Sequence, residues 1–338
     1  MKKNVLFIFS ILWIGILFIA YSQFDNTKLN VSVSKSENHF VWFPEKNEDN
    51  ISNVANRYNF GIIGGDEKML FFQSFSKSNN TEYSLYSYNL INHSVEELSA
   101  DCYGMINVTN NSVYYIGYEK KGVFRYDSAN RSSKLIYSGD VRNLLATKAY
   151  LYLIDSKNVL LRMDLSGNNI KVIMKEVSPH YLDCNNGYLY FSQFVKSQVD
   201  TYNLYKSAIV DKIKITQIYS NIPYPIKYWD NKILFKDLNG VYLLNLEIVK
   251  KINLNINSES CISVNGNGIF LTNTDRDGYT ELKVYDLNTS KTYNLTPTHY
   301  NLIYFINDKI YMVNVANFKA EVVDFTNPDY IHPVRLEL

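Results

Sequence analysis

Cysteine, glycine and proline are all scarce in this chain of 338 residues, at 3, 14 and 7 respectively. So little glycine and proline excludes collagen-like and low-complexity chains. Cys102, Cys184 and Cys261 are odd in number and far apart, with no CxxC among them, so they cannot form a disulfide framework. Each lies beside apolar neighbours and reads as a buried thiol rather than a nucleophile. The formal charge is only +1 and no run of five like charges occurs, which removes the electrostatic footprint of a nucleic-acid partner. GxSxG, HExxH, GxxxxGK[ST] and a helix-opening GxGxxG are all missing, and with them the common hydrolase, metalloprotease and nucleotide signatures. The 5 histidines (His39, His93, His180, His299 and His332) are dispersed, none paired at metal-ligand spacing. Nothing in the sequence asks for a cofactor or assigns a catalytic residue.

Charge is also absent from Asn4 to Phe24, a stretch that follows Lys2 and Lys3 and is long enough as a helix to span a bilayer. This pattern predicts export. Residues 1–24 are expected to be a signal peptide, cleaved after the small residues around Ala20 and Ser22, or an uncleaved membrane anchor. Residues 25–37 then form a linker, and 38–338 the folded domain.

What the chain has in abundance is Tyr (29) and Phe (18), residues that favour strands. They are organised. The stretch Asn185 to Phe191, NNGYLYF, sets a grammar of two polar residues, a small or basic one, and a dense apolar run. Six more copies follow it: DEKMLFF, NNSVYYI, TKAYLYL, DNKILFK, GNGIFLT and NDKIYMV. Their anchors, Met69, Val113, Tyr150, Tyr188, Ile233, Ile269 and Ile310, recur at intervals of roughly forty residues, the period of a propeller blade. A second landmark lies downstream of each anchor, a strand ending in Asn89, Asp127, Asp164, Ala208, Asn245, Asp286 or Asp324. The polar pair sits at a fixed distance before each anchor, which signals a tight hairpin, whereas the distance to the landmark varies and signals a loop. The repeat therefore predicts an all-β propeller of seven four-stranded blades, with six or eight as the alternatives, behind an N-terminal hydrophobic helix. In this scheme NNG turns the first strand of a blade into the second, and YLYF is buried between blades. HFVWF (His39 to Phe43) is an extra strand expected to complete the last blade.

The segment from Phe270 to Pro297, FLTNTDRDGYTELKVYDLNTSKTYNLTP, resembles the TolB-like repeat, with its D-x-D-G hairpin, a strand ending in Tyr-Asp and an outer strand ending in Leu-Thr. From about Tyr58 to Leu338 the chain is similar to bacterial exported propellers of the low-density-lipoprotein-receptor-like (YWTD-like) type, although no YWTD tetrapeptide occurs. The resemblance implies a binding scaffold and carries over no catalytic residue. Asn273 to Gly278 matches the first half of a calcium loop, but Val284 stands where a bidentate Glu would be needed, so a plain turn is expected.

On a propeller the loops joining strands two and three share a face with the links between blades. The longest such loops follow blades one (from Ser74) and four (from Gln193). The links carry Tyr58, Tyr103, Tyr181, Tyr224 and Tyr300, which are the candidate ligand-binding residues; the alternative role for them is to fill the channel wall. The function expected is a non-enzymatic scaffold outside the cytoplasm, engaging a protein, peptide or glycan on this face, with the membrane a partner if the leader is retained. The alternatives are a glycan-active or other enzyme with a site assembled across blades, and a structural part of an envelope complex.

Overall fold

The chain builds seven antiparallel four-stranded sheets, each from four consecutive strands. In chain order the blades comprise residues 63–99, 107–138, 141–174, 177–222, 224–253, 261–298 and 302–336. The computed structural model describes residues 63–65, 68–75, 83–109, 112–196, 198–210, 213–229, 231–248, 250–254, 261–274, 280–298, 302–306, 309–314, 319–323 and 334–336. No helix occurs among them. The leader, Tyr58, Tyr300, the blade-one loop and the calcium-like turn at 275–279 lie outside the described residues.

Hydrophobicity falls from the middle of each blade to its rim. Second strands such as Ser112–Gly117 (SVYYIG) are buried along their whole length, whereas the fourth strands Ser132–Ser138 and Lys250–Asn253 are largely exposed. A strand buried on both faces must be apolar at every position, and that is why the sequence shows dense runs instead of alternation. All seven anchors fall on second strands. Apolar clusters join blade one to two, and so on in turn to blade seven, as in the packing of Leu145, Tyr152 and Leu160 of blade three on Leu182, Leu189 and Phe191 of blade four. The first strand of blade seven lies against that of blade one, which closes the ring.

Asn186 and Gly187 both have positive φ, 49° and 73°, the backbone of a tight two-residue hairpin that favours Asn-Gly. The landmark residues have a physical explanation too. Asn89, Asp127, Asp164, Asn245 and Asp286 each end a third strand, and each side chain accepts a hydrogen bond from the backbone N–H two residues on, at 2.8–2.9 Å. A residue in the left-handed region then returns the chain at His93, Arg131, Asn169 and Ser290. In blade four Ala208 stands at that place and offers no side-chain acceptor.

These bonds favour the carboxylate form. At Asp127 the Ala129 N–H bond leads in lowering the pKa; at Asp164 partial desolvation raises it, but bonds from Asn168, Asn169 and Ser166 outweigh that and leave it lowered. We expect Asp164→Ala to cost about 1 kcal/mol, a typical value for one such bond, read as a lower urea midpoint with an unchanged m-value. An unchanged midpoint would mean that the turn holds without its cap.

The last blade differs from expectation. Its outer place is taken by Val334–Leu336, which pairs with Lys319–Val323, so all four strands come from residues 302–336. A contiguous segment downstream of the third strand fills that position locally, and no second chain end is needed there. His39 to Phe43 lies outside the described residues.

Candidate functional site

In an up-and-down blade the chain crosses the sheet four times, so every link between blades and every loop joining strands two and three emerges on one face. On this loop face, blades three to five bring together side chains that are far apart in sequence. Blade four's first strand, Val177–Asn185, carries a register shift between Val177 and Leu182. It turns Tyr181 inward and leaves His180 exposed. Tyr224 opens the first strand of blade five, opposite Lys236. Phe194 and Tyr202 flank the blade-four loop, where they pair as the last register of the second and third strands.

The rings of His180 and Tyr224 lie 5.2 Å apart, Tyr224 meets Tyr202 edge-on at 6.0 Å, and Tyr202 meets Phe194 at 5.5 Å. The Lys236 ammonium stands 5.0 Å from the Tyr224 ring centre. Arg142, at the start of blade three, donates to Asn158 Oδ1 at 3.0 Å. Two other cations of this face are paired with carboxylates: Lys121 with Asp140 at 2.9 Å and Lys196 with Glu176 at 2.8 Å. Among the described residues, Arg142 and Lys236 make no ion pair.

Although part of His180 is open to solvent, desolvation of the ring packed beside Tyr224 is the main cause that lowers its pKa; Asp200 opposes it, and Arg142 and Lys236 reinforce it. The imidazole is therefore neutral at pH 7. Burial likewise pushes the Tyr224 phenol up to about 12, with a smaller push from Tyr202, so it stays protonated and can donate. Together the sector offers aromatic surface, two unpaired cations, one carboxylate and a neutral imidazole. Such a set suits a ligand that presents an anion beside an apolar or ring-shaped group. Among the described residues no three His, Cys, Asp or Glu side chains converge to hold a metal.

The five sequence-derived tyrosines fare differently. Tyr224 is part of the sector. Tyr103 is exposed on the link into blade two, its ring 5.0 Å from Tyr118 of the neighbouring loop, away from blades three to five. That loop is held by Asp101, which accepts three backbone N–H groups, from Tyr118, Glu119 and Lys120. Tyr181, in contrast, is not on the face. It is fully buried between blades four and five, and its hydroxyl accepts the Tyr228 N–H at 3.0 Å. The physical reason is the length of blade four's first strand, nine residues, which places Tyr181 in the strand's interior instead of in the link. Sequence reasoning set His180 aside because no other histidine is near in the chain. The signal that could have found it was the alternation itself, since a residue beside an inward Tyr on a strand faces outward.

No family model and no curated protein matches this chain. Solved structures do resemble it. The propeller domain of the Trilobed protease from Pyrococcus furiosus, described as having an open velcro topology, superposes with a TM-score of 0.59 at 10% identity, covering 82% of this chain and 98% of that one. A Mycobacterium tuberculosis puromycin-hydrolyzing peptidase gives 0.59 at 11% identity, over 87% of this chain and 56% of the peptidase. An oligogalacturonate lyase in complex with manganese gives 0.53 at 12% identity, over 75% and 85%. This chain thus spans little more than half the length of the peptidase. At such identities the likeness is one of fold, and the fold is a seven-bladed β-propeller.

Proposed function

We propose that this propeller is a non-enzymatic binding protein that works outside the cytoplasm and engages a protein, peptide or glycan through its loop face. The observation that carries this reading is the sector of blades three to five, where Tyr224 and His180 share their surroundings with Lys236 and Arg142, which make no ion pair among the described residues. Aromatic surface that is partly open to solvent, as at Phe194 and Tyr224, next to charge is the composition of a recognition site. Kinship with TolB-like propellers, suggested by Phe270 to Pro297, accords with it. Export rests on the leader, and a fusion of residues 1–30 to a reporter active only outside the cytoplasm should be active.

Glycan and peptide arrays probed with the full-length chain test the binding. Tyr224→Ala is expected to weaken array hits about fivefold or more, the factor that corresponds to the roughly 1 kcal/mol separating contributors from bystanders. Asn186→Ala and Asn231→Ala, in hairpins of the opposite face, should leave them unchanged. The reverse pattern would place the site on the wrong face.

An enzyme is the second reading, and one observation favours it: His180, against the Tyr224 ring, has its pKa lowered and feels the charge of Asp200, a combination open to a general base. Peptide hydrolysis or glycan cleavage by the wild type that disappears in His180→Ala would establish it.

A further inference from the structure

We infer that the sector of blades four and five recognises an extended peptide segment in which an acidic group lies next to apolar side chains, and that it binds such a segment more tightly as the pH falls. This inference rests on the loop-face binding proposed above and narrows it to one ligand class.

Three features beyond the aromatic cluster carry the inference. The first is apolar exposure at loop tips, where polar residues are the norm. Val199 is 90% exposed in the blade-four loop, one residue from Asp200, and Leu238 is 96% exposed in the blade-five loop, two residues from Lys236. Such tips contribute nothing to a hydrophilic sugar and suit a polypeptide. The second is a groove of about 330 Å³ between the outer strand of blade four and the second to fourth strands of blade five, walled by Tyr219, Asn221, Ile222, Pro223, Phe235, Leu244 and Lys251. The link Ile222-Pro223-Tyr224 borders both this groove and the aromatic sector, so one ligand can cover both only if it is extended. A cavity of that size takes one or two apolar side chains. The third is charge. The groups that act on His180 are Arg142 from blade three, Asp200 from the blade-four loop, and Lys236 from blade five, with the Tyr224 ring against its face. Two cations against one carboxylate leave the sector positive even with the imidazole neutral.

The pH dependence follows by linkage. Free His180 holds its proton weakly, because burial and the two cations oppose its charge. An incoming carboxylate opposes those cations and stabilises the imidazolium, so binding takes up a proton. Affinity therefore rises as the pH falls from the neutral range, and it is flat above it.

Fluorescence anisotropy with the full-length chain in detergent tests this. The probes are a labelled pool of nine-residue peptides made from Asp, Glu, Leu, Phe, Ser and Gly, a pool with Lys replacing the acids, and labelled oligogalacturonate. The acidic pool is expected to bind, at least about threefold more weakly for Lys236→Gln and for Leu238→Asp, and about threefold more tightly at pH 5.5 than at pH 7.5. His180→Gln should remove the pH effect. Thermal unfolding of each variant checks its fold; Leu238, almost wholly exposed, is the variant least able to disturb it. The inference is overturned if the basic pool binds as well as the acidic one, if oligogalacturonate binds and the peptides do not, if no probe binds, or if neither substitution matters. Array hits that still depend on Tyr224 in any of those cases would leave the loop-face function standing. Peptide binding lost only in Asn186→Ala or Asn231→Ala would remove both.

Discussion

Replacing Phe305 by Ala will lower the stability of the ring by about 3–5 kcal/mol, the loss expected when a large aromatic is deleted from a packed core. Phe305 is fully buried on the first strand of blade seven and meets Phe270 of blade six edge-on at 4.9 Å. Leu282, Val284, Ile303 and Ile310 complete the cluster. The effect should also be local. All four strands of blade seven come from residues 302–336, so within the described residues no backbone pairing ties this blade to the other end of the chain. Its neighbours hold it only by packed faces. In a repeat protein each unit contacts only the next, and weakening one interface lets the terminal unit open before the rest. Hydrogen exchange in Phe305→Ala is therefore expected to accelerate first in 302–336, with blades two to four protected until global unfolding. A loss under 1 kcal/mol, or exchange that rises evenly around the ring, would contradict this account.

The order of the strands was legible in the sequence because the repeat leaves two chemical marks, the second of them missing in blade four at Ala208, and both have local causes. Asn186-Gly187 marks the hairpin between strands one and two because its backbone needs positive φ twice. Asp127, Asp164 and Asp286 mark the turn after strand three because a side-chain acceptor satisfies the N–H two residues on. Signals of this kind survive in a single sequence. The site was legible only in part, since it depends on where distant strands end relative to one another. Tyr224 could be chosen from its position before an anchor, and so, by the same rule, was Tyr181, which the longer first strand of blade four carries into the core. Arg142, His180 and Lys236 are spread over nearly a hundred residues and meet only because the ring sets blades three, four and five side by side. No spacing in the sequence records that meeting.

Cys102 is expected to react with iodoacetamide at least about a thousandfold more slowly in the native protein than in the unfolded chain. Its side chain is fully buried at the interface of blades one and two, beside Phe71, Leu85 and Tyr115. Burial pushes the thiol from 9.0 up to about 12, Asp101 adds to the rise, and a hydrogen bond with the Gly104 backbone offsets part of it. The reactive species is the thiolate, and a rise of about three units alone removes it by that factor at neutral pH, before steric exclusion is counted. Pulsed labelling followed by mass spectrometry of the Cys102 peptide reads the ratio directly, and rapid labelling under native conditions would mean that this interface opens. The same burial sets the response to alkali. A group whose folded-state pKa is raised contributes stability that is complete below its unfolded value and is withdrawn as the pH climbs toward the folded one. For Cys102 that window runs from 9.0 to about 12, and for Tyr115 and Tyr224, both desolvated in the fold, from 10.0 to about 12. The ring should accordingly lose stability progressively above pH 9. Tyr115 and Tyr224 should then ionise together in a cooperative step that coincides with loss of β-structure, instead of titrating one by one on an intact fold.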